Sequence, residues 1–117
     1  MGPAFDRGLQ HGLKAEALTH DLFAARTLAL TGELEASEVE PWLSGLLIGR
    51  EIRDALPWAK AGATNSPIRV IGEPALCQRY LYGLQAIGAA AEVGPADAAP
   101  RGLWRIAAQA GLWKPHA

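Results

Sequence analysis

The chain has 117 residues, 50% hydrophobic and 20% charged, a balance that supports one domain with a sizeable core and excludes a disordered chain. A net charge of −1, with 11 scattered lysines and arginines, argues against a polyanion-binding surface and thus against nucleic acid as a partner. The single cysteine, Cys77, excludes an internal disulfide and fits a reducing compartment; no apolar run spans a bilayer and no signal pattern opens the chain, so the expectation is a soluble cytoplasmic protein with no membrane partner.

From Met1 to Gly12 the chain is short and glycine-interrupted, with Phe5 and Leu9 on one side of a brief helix. Leu13 to Leu30 reads as a stronger helix, its apolar residues Leu18, Leu22, Ala25 and Leu28 recurring at helical period, and Thr31-Gly32 ends it. Glu33 to Ala36 reads as a loop, and Ser37 as an N-cap without an exact capping box. Glu38 to Leu56 is the third helix and the most apolar, with Trp42, Leu43, Leu46, Leu47, Ile48 and Ile52 leaving almost no polar face. Gly45 and Gly49 lie one turn apart on it, each at a cost of about 1 kcal/mol relative to Ala. Such a pair serves either tight helix packing or one wall of a ligand cleft. Pro57 to Pro67 is the clearest loop.

The stretch from Ile68 to Gly88 organises the second half. Ile68 to Ile71 is a β-branched apolar run, as a buried strand requires, and Gly72 breaks it. Pro74 suits the first turn of a helix, whose apolar face carries Leu76, Tyr80, Leu84 and Ile87 and which Gly88 stops. Ala89 to Val93 is a second strand, so the unit reads βαβ with parallel strands. Ligands of such sheets sit beyond the carboxyl ends of the strands, which here means Gly72, Glu73 and Pro74. Free backbone N–H groups and the positive end of the helix dipole are expected there. After a loop from Gly94 to Pro100 comes a last helix, Arg101 to Ala110, ended by Gly111 and followed by a tail from Lys114 to Ala117.

Little in the chain signals chemistry of its own. His11, His20 and His116 lack partners at a metal-ligand spacing, so no metal site is assigned. Asp21 beside His20 reads as a solvated pair. Cys77 reads as a small buried hydrophobe. No nucleophile elbow, P-loop or dinucleotide fingerprint occurs, and no catalytic residue is assigned. Two parallel strands alone do not make a stable sheet, and one edge would stay open. The expectation is a part of a larger protein or a chain that pairs with itself as a dimer.

Four stretches then point to a family. Leu43-Ser44-Gly45-Leu46-Leu47-Ile48-Gly49-Arg50-Glu51-Ile52 resembles a distinctive helix of the 2-dehydro-3-deoxygalactonokinases, bacterial sugar-acid kinases of galactonate breakdown. Leu22 to Thr27, Ile71 to Tyr80 and Arg101 to Ala107 are similar in the same order. The resemblance covers nearly the whole chain. It implies the actin and hexokinase superfold, two α/β lobes with ATP between them. On it, residues 1–117 are a single incomplete C-terminal lobe, a helical part over 1–56 and a βαβα part over 68–110, helix-rich α/β in class. The family's two phosphate-binding motifs, an Asp-Trp-Gly-Ser-Thr type and a Pro-Gly-Thr-His-Ser-Lys-Trp type, have no counterpart here.

The resemblance thus implies ATP and Mg²⁺ as cofactors of the complete enzyme and transfer of the γ-phosphoryl group to 2-dehydro-3-deoxy-D-galactonate. For this chain it implies the adenosine side of the cleft, with Gly72, Glu73 and Pro74 holding adenosine and Gly45 and Gly49 opposing them. The chain alone is expected to be inactive. The alternative is a non-catalytic, self-associating α/β module.

Overall fold

The computed structural model describes residues 1–62 and 65–113; the expected tail with His116, and the centre of the expected loop at 63–64, lie outside them. The described elements are α1 (Pro3–Lys14), α2 (Leu18–Leu30), a 3₁₀ turn (Ala36–Glu38), α3 (Val39–Ala61), β1 (Ile68–Val70), α4 (Pro74–Ala86), β2 (Ala91–Val93) and α5 (Ala98–Gln109). The class is helix-rich α/β.

Pro3 opens α1, where its missing N–H costs nothing. The helix expected from Leu13 to Leu30 is in fact divided. α1 runs on to Lys14, and Ala15 turns extended at φ −62°, ψ 135°. The cause lies in α3: Arg50 Nη1 donates to the Ala15 carbonyl at 3.0 Å, and Arg53 Nη1 donates to the same oxygen. Long-range capture of one carbonyl overrides the local helix preference of three residues, Ala15-Glu16-Ala17. Gly32 ends α2 as expected. It takes φ +78°, open to glycine at no steric cost, and lets Glu33 N–H reach the Leu28 carbonyl at 2.8 Å.

Ser37 is not the N-cap. It sits inside the 3₁₀ turn, and Glu35 and Glu38 form a reciprocal capping box around it, with Glu35 N–H donating to Glu38 Oε2 at 2.8 Å. α3 also passes through Pro57, where the sequence places its end, and closes one turn later at Gly62. Proline there forfeits its own backbone bond and crowds the Arg53 carbonyl, at a cost of about 3 kcal/mol, although its φ is already helical. The upstream turns are locked by packing.

That packing is the centre of the fold. α1 lies along α3 over most of its length. Gly8 and Gly12 of α1 face the α3 backbone, and Gly45 and Gly49 of α3 face the α1 backbone. A Cβ would fall 2.0 Å from the Trp42 carbonyl oxygen at Gly8 and 2.2 Å from that of Leu46 at Gly12. At Gly45 it would fall 2.2 Å from the Phe5 oxygen, and at Gly49 2.5 Å from that of Leu9. No side chain fits at any of the four.

Two apolar clusters share α3. Leu46, Trp42, Ala25, Leu34 and Ala4 join it to α2; Ile48, Ile52, Phe5, Leu9 and Leu84 join it to α1 and α4. α4 in turn covers the sheet, in which β1 and β2 pair in parallel with Ile68 opposite Ala91 and Val70 opposite Val93. Gly88, at φ +73°, closes α4 with the Ala89 N–H on the Leu84 carbonyl. α5 starts at Ala98, a turn earlier than the sequence indicates, and buries none of its residues. The chain is correspondingly long, 64 × 31 × 24 Å, with a radius of gyration of 18.1 Å. A compact domain of this length has about 13 Å.

Candidate functional site

A groove of about 1290 Å³ opens where β1 ends. One wall is the second half of α3, with Glu51, Ile52, Ala55 and Trp58. The other is the strand exit and the first turns of α4, with Ile71, Gly72, Leu76, Cys77 and Tyr80. Ile52 and Cys77 are buried in the floor, while Trp58, at 81% exposure, stands at the rim.

The groove follows from the local sequence. Gly72 ends the strand, and a Cβ there would meet only Cys77 Sγ, at 3.8 Å, so the backbone is open on this side. Pro74 takes the first helical position, and Glu73 is the N-cap. Its carboxylate accepts from the Leu76 N–H at 3.0 Å. The N–H groups of Ala75 and then Leu76 hold the Glu73 carboxyl below the usual carboxylate range, with Arg79 adding a smaller pull. The helix start expected to offer free N–H groups therefore already has an anion of its own.

Across the groove Tyr80 O–H donates to Glu51. Burial first, then that hydrogen bond and the Glu51 charge, push the Tyr80 phenol up to about 12. Arg79 donates to Ser44 Oγ at 2.7 Å and to Glu40 at 3.1 Å. These bonds fix α4 against α3 and so set the width of the groove.

Of Gly72, Glu73 and Pro74, Gly72 lines the groove, and Glu73 and Pro74 follow it in the chain without lining it. Gly45 and Gly49 do not line it either: α1 occupies the face they present, so no ligand can use it, and the close approach they permit is that of another helix. The wall opposite Gly72 lies further along the same helix. Trp58 falls in the expected loop, and Glu51 reads from sequence as surface charge; only the pairing of α3 with α4 reveals them. Tyr80 was visible as part of an apolar helix face.

A second group is also placed differently from the sequence expectation. Asp21 is buried, and its Oδ1 accepts from His11 Nε2 at 2.9 Å as well as lying 3.4 Å from His20 Nδ1. The His11 hydrogen bond, helped by His20, holds its carboxyl below the usual carboxylate range against the opposing effect of desolvation. The signal for this was absent, because His11 belongs to another helix.

Residues 1–106 match the family described as 2-keto-3-deoxy-galactonokinase. The chain belongs to this family. The 2-dehydro-3-deoxygalactonokinase of Escherichia coli (strain K12) is 34% identical over 85 residues, which are 73% of this chain and 28% of that protein. The chain thus spans little more than a quarter of the relative it matches. The 2-keto-3-deoxy-galactonokinases are kinases by name, and the matched region includes α1 to α4, the sheet and the groove.

Proposed function

We propose that the chain is the C-terminal part of a sugar-acid kinase with an actin-like fold, and that the groove beside Gly72 takes the adenosine end of ATP. The complete enzyme transfers the γ-phosphoryl group to 2-dehydro-3-deoxy-D-galactonate, with Mg²⁺ bound by residues outside this chain. The family match supports the reaction class.

The carrying observation is the charge at the turn. A phosphate site at a helix start offers unpaired N–H donors. Here Glu73 has taken the Leu76 N–H and put a carboxylate beside it. Such a turn repels phosphate, yet it accepts hydrogen bonds from ribose hydroxyls. An apolar trough with an aromatic rim at Trp58 suits a purine. Neutral and flat at one end, hydroxylated at the other, adenosine matches both features. Phosphoryl chemistry then falls to the part of the enzyme that carries phosphate motifs.

Calorimetry with adenosine and ATP on the purified chain tests this. Adenosine should bind, ATP should bind no tighter than adenosine, and Gly72→Val should weaken both about tenfold or more by filling the open side of the turn. ATP binding much tighter than adenosine, or indifference to Gly72→Val, would contradict the assignment.

A further inference from the structure

Along α3, Glu51, Ala55 and Trp58 fall at i, i+4 and i+7, so they share one stripe of the helix. All three line the groove and are exposed. At 1.5 Å of rise per residue, the carboxylate and the indole stand about 10 Å apart along the axis. Ala55 keeps the stripe low between them. The wall therefore offers an aromatic plate at one end, a shallow gap, and an anion at the other, over roughly the length of a nucleoside.

Glu51 is the single carboxylate of the lining among the described residues. Glu40, Asp54, Glu92 and Asp97 each lie on an arginine, whereas no cation pairs with Glu51 among the described residues. The lining cations do not serve it: Lys60 falls on the opposite side of α3 from the stripe, and Arg69 is paired with Glu92 at 3.0 Å. The partner of Glu51 is the Tyr80 O–H, which donates to Oε2 from α4. A bond from another helix limits where the glutamate can swing. A carboxylate has about four acceptor positions, and the phenol fills one. What remains is an anchored anion with acceptors to spare, which repels phosphate and suits paired hydroxyls.

We propose that Glu51 is a specificity-determining residue of the groove: the 2′- and 3′-hydroxyls of a bound nucleoside donate to its carboxylate while the base lies on Trp58. The inference rests on the adenosine reading of the groove and adds the residue that selects a ribonucleoside over a deoxynucleoside. A hydroxyl donating to a charged acceptor forms a stronger bond than to a neutral one. Loss of either hydroxyl therefore costs about tenfold in affinity.

The test is an ¹H–¹⁵N NMR titration of the full 117-residue chain with adenosine, 2′-deoxyadenosine and 3′-deoxyadenosine. The unaltered chain should bind adenosine about tenfold or more tightly than either deoxynucleoside. Glu51→Gln keeps the size of the side chain and removes its charge. It should weaken adenosine about tenfold, leave the deoxynucleosides nearly unchanged, and so erase most of the preference, with spectra showing the fold retained. Tyr80→Phe breaks the bond to Glu51 but leaves the carboxylate, so the preference should persist there. Equal binding of the three nucleosides by the unaltered chain, a preference that survives Glu51→Gln, or one lost as fully in Tyr80→Phe overturns the proposal and leaves the adenosine groove standing. Absence of adenosine binding overturns both.

Discussion

At the scale of single residues the fold hangs on four positions without a side chain. Gly45→Val would drive two methyl groups into the α1 backbone, a clash no rotamer relieves. The expected cost is about 3–5 kcal/mol, the range of severe core damage, read by chemical denaturation. Gly102, in α5, has nothing within 4 Å of its missing Cβ, so Gly102→Ala should be neutral or stabilise by up to about 1 kcal/mol. Gly45 and Gly49 were legible as a close-approach pair from their spacing. What approaches them was not, because Gly8 and Gly12 lie 37 residues earlier in the chain, and pairing across that distance leaves no local pattern. Asp21 teaches the same lesson: His20 is its neighbour in sequence, while its stronger partner, His11, sits on another helix. Its carboxyl titrates below the unfolded value, so the folded state binds fewer protons there than the unfolded state. The stabilisation is present above the ordinary Asp pKa and disappears as pH falls through the lowered native one. Asp21→Asn should therefore flatten the acid limb of stability against pH, followed by thermal unfolding in buffers from neutral to acid.

At the scale of elements, α3 and α4 decide the site. The helix, glycine stop and strand between Ile68 and Val93 follow the sequence pattern closely, since each signal there is local: a β-branched run, Pro74 at a first turn, Gly88 at a C-terminus. The break at Ala15 and the passage of α3 through Pro57 escaped the pattern for the opposite reason. Arg50 and Arg53 act on Ala15 from 35 and 38 residues away, and packing on α1 overrides proline. Across the groove, Tyr80 and Glu51 give a spectroscopic mark. The Tyr80 phenol, raised to about 12, should stay protonated past pH 11 in an NMR titration that resolves it from Tyr82, whose phenol is also raised, chiefly by its hydrogen bond with Asp6. Glu51→Gln removes both the charge and the carboxylate acceptor, and its Tyr80 should ionise nearer the ordinary tyrosine value of about 10. Because the folded pKa is raised, the associated stability is complete below about pH 10 and fades as pH climbs through about 12. The core and the outlying helix should also differ. Leu84→Ala, in the cluster with Ile48 and Ile52, should cost about 2–5 kcal/mol. Leu103→Glu in α5, where that leucine is 67% exposed, should stay within about 0.5 kcal/mol.

At the scale of the whole molecule, shape and sheet tell one story. Two short strands and a final helix that buries nothing leave large apolar side chains in water, among them Leu103, Ile106 and Val93. A radius of gyration of 18.1 Å for 117 residues is what results, and small-angle scattering of the dilute monomer should give that value rather than about 13 Å. The sheet deficit was legible from strand count alone. The groove was half legible: the turn at Gly72 could be placed from the strand–glycine–helix pattern, but the facing wall needed three dimensions. The proposed function rests on that groove. Its most direct test is the ¹H–¹⁵N spectrum of the chain under adenosine titration. Saturable shifts confined to Gly72, Leu76, Tyr80 and the facing turns of α3 at Glu51, Ala55 and Trp58 are the predicted result. A spectrum left unchanged, or shifts gathered on other elements, would contradict it.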